Sequence, residues 1–242
     1  MHILQSAELC FFYMKNIIVI PARGNSKGIK KKNLINFCNK PLLYWTLKQA
    51  KKTKMIKDIY VSTESTEIAN LSEKLKAKVV WRPKKLCSDN ASSESAIKHV
   101  ISNINYKVDN IVFLQATSPL RYVKDIDNAL KLFLKSKADS LFSAHQAEDF
   151  FDIWKKNKKK FSPITINFKK RKPRQMFKNQ HYMQNGSIYI FKKKILDRHN
   201  NRLGGKIMIF QMKEWQSFQL DSIKQKKIME TIFKSMLKKS YE

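Results

Sequence analysis

Short apolar runs alternate with amphipathic segments along most of the chain. The β-branched run Asn16–Ile20, closed by Pro21, is typical of a buried strand, and the apolar spacing in Pro41–Thr53 predicts a helix with proline in its first turn. The same pattern predicts further strands at Asp58–Ser62, Val79–Trp81, Asn110–Gln115, Asp139–Ser143, Ser187–Phe191 and Ile207–Met212. It predicts further helices at Glu67–Lys76, Glu94–Ile104 and Lys124–Ser136, and a last helix capped by Asp221. This alternation indicates an α/β fold, with a mostly parallel sheet flanked by helices on both faces.

The alternation breaks between about residues 145 and 184. This segment is polar and rich in lysine, and it contains Pro163 and Pro173. It is too long for a simple loop, because structureless connections of this length are uncommon inside a compact domain. We therefore predict a β-arm or small subdomain inserted into the main domain over residues 145–184.

The amino-terminal segment also stands outside the pattern. Met1–Tyr13 lacks the basic start of a signal peptide and carries Glu8 before its apolar end, and Met14 directly precedes the first strand. We expect residues 1–15 to be an extension and residues 16–242 to form the folded domain. No run approaches the roughly 18 apolar residues of a membrane span. The three cysteines are far apart and form no CxxC motif, which favours a reducing cytoplasm over a disulfide framework or a zinc site.

Charge changes this picture more than the rest of the composition does. Lysine and arginine number 49 against 19 acidic residues, for a net charge of +30, while the hydrophobic content of 43% is ordinary for a globular chain. Proteins that read nucleic acids lean on arginine, whose planar fork matches phosphates and base edges, whereas the cations here are mostly lysine. The charge favours anionic partners without naming one, and no specific nucleic acid is predicted.

Glycine is scarce, with five in 242 residues, yet two of the five fall in one loop. Gly24 and Gly28 lie directly after the first predicted strand, in the segment Pro21–Gly28. A glycine loop at the carboxyl end of such a strand is where backbone N–H groups hold phosphates. Its spacing matches neither the P-loop nor the dinucleotide fingerprint, so the spacing alone leaves an ordinary basic turn open.

Five motif blocks follow one another along the chain. They are Ile20–Gly28 with Lys32-Asn33 and Lys40–Leu42; Val61–Ser65 with Glu67–Ala69; Arg82–Ser93; Gln115–Arg121 with Asp125-Ile126; and Pro173–Gln175 with Asn185–Ile190. Together they resemble the acylneuraminate cytidylyltransferase family, the synthetases of CMP-sialic, CMP-legionaminic and CMP-pseudaminic acids. Enzymes that activate ketodeoxyoctonate usually carry segments resembling PARxxSTRLPGKPL and QGDEP, which read SKGIKKKN and QATSPLR here. The resemblance therefore favours nonulosonic acids as substrates.

The resemblance implies a glycosyltransferase-A-like nucleotidyltransferase fold, with an arm at residues 145–184 that mediates homodimerisation. The nucleotide-binding residues it implies are Ala22, Arg23, Gly24, Lys27, Lys32, Asn33, Arg82 and Ser93. The sugar-acid-binding residues it implies are Gln115, Arg174, Asn185 and Tyr189. The catalytic residues it implies are Arg23, Lys32 and Asp221. From the sequence alone, Gln115 also fits a strand-end cap, Tyr189 a core residue, and Asn185 a turn residue.

One position departs from the family pattern. Relatives carry an Asp-Ile-Asp segment before the last helix, whose two carboxylates hold a divalent metal, whereas this chain reads Gln219-Leu220-Asp221. Asp221 is therefore the implied ligand of Mg²⁺, and Gln219 offers only a neutral oxygen. We expect weaker metal affinity than in relatives.

These observations predict an enzyme that transfers CMP from CTP to the anomeric hydroxyl of a nonulosonic acid and releases pyrophosphate. The substitution at Gln219 leaves a second hypothesis open, a catalytically impaired homologue that acts as a nucleotide-binding or regulatory subunit. The charge of +30 motivates a third, a nucleic-acid-binding protein, but the sequence shows no basic helix with interleaved aromatics.

Overall fold

A computed structural model of the chain describes residues 14–26, 28–88, 90–147, 153–158, 160–170 and 181–237. Outside these ranges lie residues 1–13 of the predicted extension, much of the predicted arm, and the two predicted site residues Lys27 and Arg174. The described strands are β1 (Asn16–Pro21), β2 (Asn36–Phe37), β3 (Lys40–Pro41), β4 (Asp58–Thr63), β5 (Lys78–Trp81), β6 (Asn110–Leu114), β7 (Ser140–Gln146), β8 (Trp154–Asn157), β9 (Lys160–Pro163), β10 (Tyr182–Lys192) and β11 (Ile207–Gln211). The described α-helices are α1 (Leu42–Lys51), α2 (Thr66–Lys74), α3 (Ser93–Ser102), α4 (Val123–Lys135), α5 (Lys193–His199) and α6 (Ile223–Met236).

The central sheet has the strand order β11-β7-β10-β6-β1-β4-β5. All neighbours in it pair parallel except β10, which runs antiparallel to both β6 and β7. The predicted α/β class with a mostly parallel sheet is confirmed. Because β1, β4, β5 and β6 run in one direction, the loops that follow them meet at one edge of the sheet.

Alternating side chains of the strands build a separate core on each face of the sheet. On one face Ile18, Val112 and Ile190 pack with residues of α1, α2 and α4. On the other face Ile17, Phe113 and their neighbours pack with residues of α3 and α5. A third cluster, which includes Phe37, Trp45, Leu220 and Phe233, fixes α6 beside the β2–β3 hairpin. This third cluster brings the carboxyl-terminal part of the chain to the loop after β1.

The structure differs from the predicted elements in several places. The β2–β3 hairpin was not predicted, and Pro41, predicted in the first turn of a helix, is the N-cap of α1. Helix α5 was not predicted, and β10 begins at Tyr182 because its first residues pair with the end of β7. The prediction that Asp221 caps the last helix is wrong, because Ser222 is the N-cap and shares a capping box with Gln225. Within the predicted arm, β8 and β9 form an antiparallel hairpin. Among the described residues, no helix is both long and apolar enough to cross a membrane.

Candidate active site

A polar cavity of about 410 Å³ opens at the carboxyl ends of β1, β5 and β6. This volume lies within the usual range of small-molecule sites. Its lining residues come from three loops and from the strand ends that feed them: Pro21, Arg23, Ser26, Gly28, Lys32, Asn33, Arg82, Leu86, Ser88, Ala91, Ser92, Ser93, Phe113, Gln115, Ala116 and Thr117. Most of the sequence-predicted nucleotide-binding residues are therefore brought together around one cavity.

The glycine loop after β1 is held by its neighbours on both sides. The Ala22 N–H donates to the Ser62 carbonyl at 2.9 Å, and the Gly24 N–H donates to Glu64 Oε1 at 2.7 Å. A side chain at Gly24 would place its Cβ 2.9 Å from Ser65 Cβ, which explains the glycine there. Asn33 Nδ2 donates to the Arg23 carbonyl at 2.8 Å. The loop is thus pre-shaped, and Asn33 both fixes it and lines the cavity.

Two arginines reach the cavity from different loops. The buried Arg82 side chain donates from Nε to Ser62 Oγ at 3.0 Å and from Nη2 to the Ser62 carbonyl at 2.7 Å. Burial lowers the pKa of the Arg82 guanidinium from its usual value, while the nearby Glu64 carboxylate raises it, and an arginine keeps its charge under such shifts. Arg23 Nη1 donates to the Ser88 carbonyl at 3.4 Å. Arg82 is therefore anchored to strand β4, and Arg23 is tied to the loop after β5 that lines the cavity.

Two of the three residues predicted as catalytic, Lys32 and Asp221, form an ion pair. Lys32 Nζ lies 2.9 Å from Asp221 Oδ1, although 189 positions separate the two in sequence. The Lys32 side chain is 15% exposed and that of Asp221 is 64% exposed, so the carboxylate stands at the open side of the pair. The Leu220 N–H donates to the Thr117 carbonyl at 2.9 Å, which fastens this segment to the loop after β6.

Gln219 lies beside Gly186 and Gln115. Its Nε2 donates to the Asn185 carbonyl at 2.8 Å, while its Oε1 accepts no hydrogen bond from the described residues. Gly186 has φ +67°, and a Cβ there would collide with Gln219 Nε2 and lie 3.4 Å from Gln115 Oε1. Both the backbone conformation and the close approach therefore require glycine at this position.

The predicted sugar-acid-binding residues differ in whether they line the cavity or are buried behind it. Gln115 lines the cavity. Asn185 is buried, and its Oδ1 accepts from Ser143 Oγ at 2.6 Å and from the Ser187 N–H at 3.2 Å. Tyr189 is 4% exposed and its ring stacks on that of Phe113, with centroids 5.4 Å apart. Asn185 and Tyr189 are therefore buried behind the residues that line the cavity, and Tyr189 supports the lining residue Phe113. Arg174 and Lys27 lie outside the described residues, so their roles stay predictions.

The chain is similar to known proteins over most of its length. The family model described as cytidylyltransferase matches residues 17–241. The chain belongs to the cytidylyltransferase family. It is 32% identical over 207 residues to N-acylneuraminate cytidylyltransferase A of Danio rerio, covering 84% of this chain and 47% of that protein. It is 30% identical over 226 residues to post-translational flagellin modification protein B of Campylobacter coli, covering 90% of this chain and 94% of that protein.

The chain thus spans about half the length of the Danio relative. It is also 34% identical over 139 residues to pseudaminic acid cytidylyltransferase of Campylobacter jejuni, covering 56% of this chain and 60% of that protein. Among solved structures, CMP:2-keto-3-deoxy-manno-octonic acid synthetase complexed with CTP aligns with a TM-score of 0.69 at 16% identity, covering 92% of this chain and 100% of the other. The predicted family resemblance is confirmed, and the structural likeness supports the same fold.

Sequence reasoning missed two residues that organise this cytidylyltransferase cavity. Arg121 is fully buried, and its Nη2 donates to the Gln115 carbonyl at 2.7 Å while its Nε donates to the Ser118 carbonyl at 3.1 Å. Asp125 accepts from Gln216 Nε2 at 2.7 Å, and burial raises the pKa of its carboxyl. Both residues fall inside a motif block noted from the sequence, which was the available signal. Their contacts link the loop after β6 to the segment that leads to Asp221.

Proposed function

We propose that this chain transfers CMP from CTP to the anomeric hydroxyl of a nonulosonic acid. The observation that carries the proposal is the pairing of Lys32 with Asp221 at a cavity that Arg23, Arg82 and the glycine loop also line. A triphosphate needs several cations and oriented N–H groups around it. The match to the cytidylyltransferase family and the names of the relatives support CTP as the donor.

In the proposed reaction the cations act on the phosphates. Arg23 and Lys32, with Lys27 as a further predicted contact, hold the triphosphate and stabilise the charge that develops at the α-phosphorus during attack. Arg82, Asn33 and Ser93 bound the nucleotide side. The remaining predicted contacts are Ala22 and Gly24. Because these groups are anchored before substrate arrives, little reorganisation is needed in the transition state.

The oxygen donors present fit Mg²⁺. Among the described residues no group of three or more His, Cys, Asp or Glu side chains is placed to hold a metal, but Mg²⁺ is commonly bound by one or two carboxylates together with substrate phosphates. The exposed Asp221 carboxylate and the Gln219 Oε1 atom would hold it. When bound, the metal neutralises charge on the phosphates and orients them.

The sugar acid supplies the nucleophile. Its anomeric oxygen forms a bond to the α-phosphorus, the bond between the α- and β-phosphates breaks, pyrophosphate leaves and the hydroxyl proton is released. Gln115 faces this substrate, and Arg174 is the predicted partner of its carboxylate. Asn185 and Tyr189 keep the wall in place. No covalent enzyme intermediate is required.

The test is turnover of CTP with a panel of sialic, legionaminic and pseudaminic acids, with the product identified by mass. We expect pyrophosphate release and a CMP-sugar with at least one of these acids. Ketodeoxyoctonate serves as the control acceptor and is expected to react poorly. Binding of CTP without turnover on any acceptor would contradict the proposed activity and favour the nucleotide-binding subunit.

The predicted homodimer rests on the described part of the arm. Residues there keep large apolar side chains on the surface of this chain: Ile153, Trp154, Phe161, Ile164 and Phe168. Exposed apolar patches of this kind mark interaction sites, and a second copy of the arm offers the same surface, as a two-fold dimer requires. Light scattering of wild type and of a Phe161→Asp variant tests this, with a dimer expected for the first and a monomer for the second.

The proposed compartment is the cytoplasm. Cys38 and Cys87 are free thiols in the structure, and free thiols persist in reducing compartments. Fractionation of the native host with an antibody to the chain tests the placement. Recovery in a secreted or surface fraction would contradict it.

A further inference from the structure

Lys32 and Asp221 have separate tasks in the proposed reaction, yet they are in contact with each other. Lys32 is assigned to the triphosphate and Asp221 to a divalent metal. In the structure Lys32 Nζ donates to Asp221 Oδ1 at 2.9 Å. Within the described part of the chain, Asp221 is the one carboxylate that pairs with Lys32. A phosphate that approaches Lys32 therefore competes with this carboxylate for the ammonium.

The backbone around both side chains is anchored, which keeps the two together. Lys32 lies in a short 3-10 helix that follows the glycine loop. The Leu220 N–H donates to the Thr117 carbonyl at 2.9 Å, and the Asp221 N–H donates to Gln225 Oε1 at 2.9 Å. These bonds fix the position of the Asp221 backbone, so the carboxylate can turn but stays within reach of Lys32. A triphosphate alone would share Lys32 with a neighbour of like charge, which is unfavourable.

The two side chains differ in their access to solvent. The Lys32 side chain is 15% exposed and lines the cavity, whereas the Asp221 side chain is 64% exposed. A hydrated metal ion can therefore reach the carboxylate from the open side while the ammonium faces the cavity. A divalent cation on the carboxylate reverses the sign of the local charge. The Lys32 ammonium then becomes available to the phosphates.

We propose that the Lys32–Asp221 ion pair couples the binding of CTP to the binding of a divalent metal. Asp221 holds the Lys32 ammonium until the metal takes over the carboxylate, and Lys32 then binds the triphosphate. The coupling is reciprocal, because a metal that strengthens nucleotide binding must itself bind more tightly when nucleotide is present. The inference rests on the proposed function, since it assigns a regulation to the same site.

The test is a calorimetric titration of CTP into wild type and Asp221→Asn without sugar acid, once with EDTA and once with saturating Mg²⁺. Asparagine keeps the shape of the side chain and removes its charge. With EDTA, we expect Asp221→Asn to bind CTP about fivefold more tightly than wild type, which is the scale of a partly exposed ion pair. With Mg²⁺, we expect the variant to bind CTP more weakly than wild type, so that the order of the two proteins reverses.

A double-mutant cycle distinguishes the ion pair from a general change in charge. Lys32→Met removes the ammonium that the carboxylate and the phosphates share. With EDTA, adding Asp221→Asn to Lys32→Met should therefore change the affinity for CTP less than twofold. If Lys32→Met folds poorly, as judged by its Tm, Lys32→Gln completes the same cycle.

Glu67→Gln is the matched control, because it removes a carboxylate from the exposed pair of the neighbouring Lys31 at 2.8 Å. It should change the affinity for CTP less than twofold in EDTA. The inference is overturned if Asp221→Asn gains no affinity in EDTA, if its gain persists without Lys32, or if Glu67→Gln gains as much. A wild type that turns over CTP while these results are obtained loses only the inference. If wild type binds no CTP even with Mg²⁺, the proposed function fails together with the inference.

Discussion

The two sides of the cavity are built on different principles. On the nucleotide side, loops after β1 and β5 carry Arg23, Lys32 and Arg82 to the cavity. The two arginines donate to backbone carbonyls, and Lys32 pairs with Asp221. On the sugar side, Asn185 and Tyr189 are buried in the sheet. Asn185 accepts a hydrogen bond from the Ser187 N–H, and the Tyr189 hydroxyl accepts one from Gln184 Nε2. Under the proposed function, phosphates would therefore be bound by charged side chains on loops, whereas the sugar would be bound through the shape of a packed wall.

This contrast separates the effects expected from substitutions. Replacing a cation on the nucleotide side removes attraction for phosphate and leaves the core intact. Replacing a wall residue on the sugar side leaves buried donors or acceptors without partners, which lowers stability as well. Activity and the free energy of unfolding, measured on the same variants, therefore test whether the two sides differ as described.

The largest effect is expected for Lys32→Ala on the nucleotide side. Loss of one oriented donor to the transition state costs about 2–4 kcal/mol, so kcat/KM for CTP should fall by roughly 30- to 1,000-fold. The neighbouring Lys31 pairs with Glu67 on the surface at 2.8 Å, so Lys31→Ala is the matched control. A folded Lys32→Ala enzyme with unchanged kcat/KM would remove Lys32 from the site.

On the sugar side, Asn185→Ala should act mainly through stability. The substitution strands the Ser143 hydroxyl and the Ser187 N–H, both buried, and a lost buried partner costs about 1–3 kcal/mol. Urea unfolding should show a decrease of about 2 kcal/mol in the free energy of unfolding. Asn70→Ala, exposed on α2, should change it by less than about 0.5 kcal/mol. An Asn185→Ala protein as stable as wild type would contradict the shape-based account.

A smaller effect is expected where the two sides meet, at Gln219. With Asp221 as the one carboxylate of this segment, a bound cation gains less from the protein than it would from two. Gln219→Asp adds a charged oxygen, although it gives up the hydrogen bond to the Asn185 carbonyl. We expect the Mg²⁺ concentration for half-maximal rate to fall by about tenfold, or ~1.4 kcal/mol. Titrations at saturating CTP and sugar acid measure this, with the neutral Gln219→Asn as control, and no gain would place Gln219 away from the metal.

The sequence was informative where a feature depends only on residues that are close together in the chain. The alternation of apolar runs predicted the seven strands of the central sheet and most helices, whereas the glycine loop after β1 was compatible with either a phosphate site or an ordinary basic turn. It was less informative for α5, because Lys192–Lys194 are indistinguishable in sequence from a solvated charge run. In the structure Lys192 and Lys193 pair with Asp139 and Asp197.

The remaining features depend on contacts between distant parts of the chain. Asp221 precedes a helix and was predicted to cap it, but the Ser222–Gln225 capping box leaves its carboxylate to face Lys32, 189 positions away. The ion pair between Glu94 and Arg202 joins residues 108 positions apart. Neither local propensity nor periodicity carries information about such pairs, so only the fold reveals them.

The smallest effect concerns a carboxylate remote from both sides of the cavity, and it tests whether stability can be changed without touching either. Asp139 precedes β7 at the opposite end of the sheet. Its Oδ1 accepts from Lys192 Nζ at 2.9 Å and its Oδ2 from the Lys206 N–H at 3.1 Å. The Lys192 ammonium first, and then the Lys206 N–H, hold the pKa of the Asp139 carboxyl well below its usual value.

In the unfolded chain this carboxyl takes up a proton near its ordinary pKa of about 4. The folded state therefore gains stability from the charged form above that pH and loses it as the pH falls toward the folded pKa. The urea midpoint of wild type should exceed that of Asp139→Asn at neutral pH, and the gap should narrow as the pH drops below about 4.

Asp197→Asn, which breaks an exposed pair with Lys193, should show a smaller gap, because exposed pairs contribute little. Since Asp139 touches neither side of the cavity, KM for CTP and for the sugar acid should be unchanged at neutral pH. A gap that stays constant with pH would show that Asp139 acts through packing and not through its charge.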